Sequence, residues 1–200
     1  MQNACCDIKK STVSGGFKML KILSGFILGL IFTAFTAYNM APGLMFQERV
    51  SPFGLEETVA RIQQNIENAG NGWSLSGLRN PAKAVQSDGG NTLPVLMIEA
   101  CSTKYSAPIL KDDSVRFLSI LMPCKISIYK KNDGKTYIGN MNAGLMGRMF
   151  GPMVGEVMSH VAADQAKFLT FDPSKPAPQM KVGTPGGGGA GGGAGGGGGC

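Results

Sequence analysis

Histidine is nearly absent: His160 is the only one in 200 residues. A serine or cysteine nucleophile would have a single imidazole to call on, and centres built from several histidines are excluded. The chain has no C-x-x-C, H-E-x-x-H or C-x-x-C-H, which removes the common redox, metalloprotease and covalent-haem motifs. Neither Gly89-Gly90 nor Gly144-x-x-Gly147 carries the lysine and hydroxyl of a phosphate loop. Paired carboxylates with a hydrolytic signature are missing as well. These gaps make catalysis the lesser expectation.

Charge is absent in one long stretch. The 25 residues from Ile22 to Phe46 hold no Asp, Glu, Lys or Arg. At about 1.5 Å per residue they would make a helix of roughly 37 Å, enough to cross a hydrocarbon core of about 30 Å with some tilt. Lys9, Lys10, Lys18 and Lys21 precede the stretch, so its N-terminal end is expected to stay in the cytoplasm. A cleaved signal peptide is the alternative, although no clean A-x-A follows a short apolar region. Met19 is a second candidate start, and beginning there would remove Cys5 and Cys6.

The net charge of +6 does not point to nucleic acid. Half of the excess lies before Met45, and from there to Phe171 there are 13 basic against 11 acidic residues. A nucleic-acid-binding domain concentrates its basic residues on one element.

Beyond the apolar stretch, Met45 to Val50 reads as a strand. Ser51-Pro52 reads as a helix N-cap and first turn, followed by Leu55, Val59, Ile62 and Ile66 at helical spacing. Trp73 to Leu78 and Leu93 to Cys101 read as strands, with the polar stretch from Asn80 to Thr92 as a loop with room for one helical turn. Ser102 to Leu121 suggests helical turns stopped by Pro123. Cys124 to Lys131 and Lys135 to Met141 are expected to form a hairpin around Asp133-Gly134. Asn142 to Phe168 reads as helix broken at Gly151-Pro152, because proline cannot donate the helical hydrogen bond. After Phe171, prolines and then almost unbroken glycine up to Cys200 lack the apolar surface needed to fold. The expected divisions are a cytoplasmic segment (1–21), a transmembrane anchor (22–44), one folded domain (45–171) and a disordered tail (172–200).

Several motifs stand in order within that domain. They are Ser51-Pro52-Phe53 with Thr58-Val59, Met97 to Cys101, Leu121-Met122-Pro123-Cys124 running on to Tyr129, and Asp133-Gly134-Lys135. Together they resemble the DUF302 family of uncharacterised bacterial domains. The resemblance implies an α+β fold: an antiparallel sheet with two principal helices on one face, here preceded by a transmembrane helix. It implies dimers and transfers no catalytic residue. With the anchor, it leads to a single-pass protein of the bacterial inner membrane whose domain lies in the periplasm. The expected role is a binding or assembly module, as a homodimer or an accessory subunit of a membrane complex, with no cofactor.

The alternative is a thiol-redox or soft-metal protein. Cys101 and Cys124 are the domain's two cysteines, and an oxidising compartment would favour a bridge between them. Closing that loop would contribute about 3 kcal/mol on the chain-entropy view. Face parity opposes it, because Cys124 alternates with Ile126 and Ile128 whereas Cys101 shares a face with Glu99. A disulfide, two inert thiols and a redox or metal pair all stay open. Cys101, Cys124, Met122 and His160 are the candidate ligands for copper or haem, since thioether, thiolate and imidazole suit Cu(I). The neighbouring Met141, Met146, Met149, Met153 and Met158 are more simply packing or interface residues. Glu99 beside Cys101 is expected to pair with Lys125 or face solvent. Cys200 is either an intermolecular tether or part of an uninvolved tail.

Overall fold

The computed structural model describes residues 13–182, and its chain forms two compact units, divided between Gly43 and Leu44. The first contains helix α1 (Val13–Met45), which runs on to the start of the second. Within it, Lys21–Asn39 is long and apolar enough to cross a membrane. Its threonine hydroxyls bond to the helix's own carbonyls: Thr33 donates to that of Gly29 at 2.8 Å and Thr36 to that of Phe32 at 3.0 Å.

The second unit is built on a five-stranded antiparallel sheet in the order β1-β5-β4-β3-β2. Its strands are β1 (Phe46–Val50), β2 (Trp73–Arg79), β3 (Val95–Ser102), β4 (Cys124–Lys130) and β5 (Thr136–Met141). Ile98 and Ala100 of β3, Ile126 and Ile128 of β4 and Ile138 of β5 point to one face and are buried. Helices α2 (Leu55–Glu67) and α6 (Pro152–Phe168) cover that face through Val59, Ile62, Ile66, Val161 and Phe168. Period-2 apolar strands meeting period-3.6 apolar helices produce this two-layer α+β arrangement. The β4–β5 turn follows the Asp-Gly signal, with Gly134 at φ 77° and Asp133 accepting the Lys135 amide at 3.0 Å.

Four local expectations are corrected. The N-cap of α2 is Gly54, and Ser51 is instead buried, its hydroxyl 2.6 Å from that of Thr58. The stretch after β2 holds a full helix, α3 (Pro81–Ser87), because Asn80 accepts the Lys83 amide and Pro81 supplies the first turn. Glu99 stands opposite Lys125 in the register yet pairs with Arg79 at 3.2 Å, since Arg79 comes from β2 on its other side. The chain between 172 and 182 is held against α2, where Arg61 donates to the Asp172 and Lys175 carbonyls and Gln63 exchanges two hydrogen bonds with Lys181. The glycine run and Cys200, like Cys5 and Cys6, lie outside the described residues.

Candidate functional site

At the end of the sheet where β3 finishes and β4 begins, three short elements close over the apolar layer. Ser102 ends β3 and caps α4 (Thr103–Lys111), accepting the Tyr105 amide at 3.3 Å while donating to the Asn71 carbonyl at 2.6 Å. A 3-10 helix (Arg116–Leu121) follows, with Leu118 buried beneath it and Phe117 and Ile120 outside. Helix α5 (Ala143–Arg148) packs back on α6, where Gly147 leaves no room for a side chain: a Cβ there would lie 2.3 Å from that of Met158.

Between these elements lies a cavity of about 50 Å³. Its walls include Ile109, Leu118, Val154 and Val161, and Cys124 borders it together with Met122, Met141, Met146 and Met158. Cys124 is a free thiol, and burial pushes it up to about 11, so it is protonated at neutral pH.

The polar groups beside the cavity are already engaged. The indole Nε1 of Trp73, the hydroxyl of Tyr105 and the side-chain amide of Asn71 all donate to one oxygen of Asp164, at 3.0, 3.0 and 3.1 Å. Lys167 donates to the other at 2.9 Å. Burial by itself would raise the Asp164 carboxyl, but these four donors outweigh it and bring it down to about 2. A carboxylate depressed in the folded state adds stability above its unfolded value near ~4 and loses it as pH falls toward the folded one. Stability of the full chain in mild detergent is therefore expected to drop by about 2 kcal/mol between pH 5 and pH 2 through this group. Urea titrations at a series of pH values would show it, and Asp164→Asn should flatten that part of the curve.

The expected site residues are partly brought together. Cys124 and Met122 both border the cavity, and Cys101 borders it as well. The bridge between Cys101 and Cys124 does not form. Cys124 stands directly opposite Ala100, so Cys101, one residue further on, belongs to the other face of the sheet. His160 is exposed on α6 and stacks on Tyr105 at 6.1 Å, outside the cavity lining. Among the described residues no group of three His, Cys, Asp or Glu side chains could hold a metal ion. Met149 is exposed and not packed as its helical spacing suggests, whereas Met146 and Met158 line the cavity.

Asp164 and its donors escaped sequence reading. The available signal was a carboxylate at helical spacing with the buried Val161 and Phe168.

The model of a domain of unknown function, DUF302, matches residues 47–170. The fold is similar to the crystal structure of an uncharacterised conserved DUF302 protein from Bacillus stearothermophilus. The two superpose with a TM-score of 0.56 at 21% identity, over 63% of this chain and 96% of that one. No functionally curated protein matches the chain.

Proposed function

The chain belongs to the DUF302 family, and from that premise we propose that it is a non-catalytic binding or assembly module anchored in the bacterial inner membrane. Its N-terminus lies in the cytoplasm and its domain in the periplasm, where it works as a homodimer or as a subunit of a membrane complex. The apolar stretch Lys21–Asn39 and the lysines before it support the address. The observation that carries the role is the state of the cavity: its strongest donors, Trp73 and Tyr105, are committed to Asp164, and its thiol is protonated. Neither Tyr105 nor Cys124, as held here, is poised to give up a proton at neutral pH, whereas apolar walls suit contact. Sedimentation of the full chain in mild detergent is expected to give a dimer or a larger complex. A monomer at micromolar concentration, with no protein co-purifying from membranes, would overturn the reading.

A second reading rests on the sulfur atoms. One thiol and the thioethers of Met122, Met141, Met146 and Met158 border a single small space, a donor set soft enough for Cu(I). Haem suits it poorly, because about 50 Å³ falls well short of the ~300 Å³ and more of ordinary organic-ligand pockets. Anaerobic Cu(I) titration against a competing chelator separates the readings. Retention of one equivalent by the full chain, lost in Cys124→Ser, favours copper. Equal retention by both proteins, or none, rules it out. Trp73, the sole tryptophan, borders the cavity and reports occupancy by its emission.

A further inference from the structure

The end of the domain that holds the cavity also carries four large exposed apolar side chains. Phe46 is 61% exposed, Phe117 63%, Ile120 81% and Met149 65%. They belong to one region. Phe117 and Ile120 are three residues apart on a 3-10 helix, a spacing that stacks them on the same side. Phe117 meets the ring of Phe150, next to Met149, at 6.3 Å. Ile120 shares a groove on the domain surface with Phe46, Pro123 and Met141. Side chains of this size are seldom left together in water without an occupant.

Covalent connection identifies the occupant. The chain enters the domain at Phe46, and only residues 40–45 separate it from the apolar stretch ending at Asn39. Even fully extended, those residues reach about 20 Å. They are the last residues of α1 and rise about 9 Å as helix, close to the depth of one headgroup layer. Hydrogen bonds from the Asn142 amide to the Met45 carbonyl at 2.8 Å, and from its side chain to the Leu44 carbonyl at 3.0 Å, fix this entry point to the end of β5. Lys125 lies in the same groove and can hold its charge at the headgroups while its stem lies on apolar surface.

We propose that the surface formed by Phe46, Phe117, Ile120 and Met149 rests on the lipid bilayer, so that the cavity end of the domain faces the membrane. The inference depends on the membrane-anchored reading above, and the test separates the two. Val85 of α3 provides the control: it is an exposed apolar residue beyond the far ends of β2 and β3, about 20 Å away along the strands.

The full chain is reconstituted into phosphatidylethanolamine–phosphatidylglycerol vesicles with or without brominated acyl chains, which quench nearby indoles. Phe117→Trp, Ile120→Trp and Val85→Trp are compared after subtracting the Trp73 signal, with thermal melts confirming that each variant folds. The added emission of Phe117→Trp and Ile120→Trp is expected to fall at least twofold in brominated vesicles, and that of Val85→Trp to stay unchanged. A chain that does not float with the vesicles removes the anchor and the proposal together. Flotation with all three tryptophans unquenched leaves the anchor standing and overturns the proposal, as it would if a second copy or another protein covered this surface.

Discussion

Asp164→Ala is expected to lower the unfolding free energy by about 3–5 kcal/mol, the range for losing one side of a buried charged network. Asp164 is 3% exposed and receives the Trp73 indole, the Tyr105 hydroxyl, the Asn71 amide and the Lys167 ammonium. Its removal leaves a buried indole N–H without an acceptor and opens space beside Phe168, whose ring meets Trp73 at 5.0 Å. Folded domains have only about 5–15 kcal/mol in reserve, so the loss is a large share. Urea unfolding followed by Trp73 emission measures it directly. Asp164→Asn keeps one acceptor oxygen and should cost less, but its amide would oppose a donor. If both variants unfold at the wild-type midpoint, the network has no part in stability.

Gly147→Ala is expected to cost about 3 kcal/mol, through overpacking. The new methyl would lie 2.3 Å from Met158 Cβ and 3.1 Å from the Val154 carbonyl oxygen. Rotating Met158 cannot relieve a clash with its own β carbon, so α5 and α6 would have to part. Gly144 is the internal control, three residues earlier on α5. A Cβ there meets Ala162 at 3.5 Å, an ordinary contact. Gly144→Ala should be neutral or stabilising by up to about 1 kcal/mol, from improved helix propensity. Thermal melts of the two variants side by side separate close packing from propensity, and equal melting temperatures would refute the close approach.

Features that depend on neighbours along the chain were legible before the fold was known. The uncharged stretch, the alternation in Cys124–Lys130, the Asp133-Gly134 turn and the break at Gly151-Pro152 all correspond to observed elements. Hydropathy and backbone preference act over a few residues, so a window of sequence contains their cause. Alternation also gave the correct warning about the cysteines. Cys101 and Cys124 have opposite parity, and the register through Ala100 and Cys124 turned that objection into a free thiol.

The site itself was not legible. Asn71, Trp73, Tyr105 and Asp164 come from a turn, a strand, a short helix and the last helix, and nothing local announces that three donors will share one oxygen. Met122, Met141, Met146 and Met158 border one cavity with Cys124, while His160 and Met149 are turned out, because helix rotation and strand register decide which side chains meet. The apolar span, the α+β class and the family follow from composition, periodicity and ordered motifs, all of which are written along the chain. Folding in three dimensions was needed to set Cys124 apart from Cys101, to make Asp164 the buried hub, and to bring the cavity and the exposed apolar surface to one end of the sheet. Those outcomes depend on long-range pairing, and contacts between residues far apart in the chain leave no periodic trace within it.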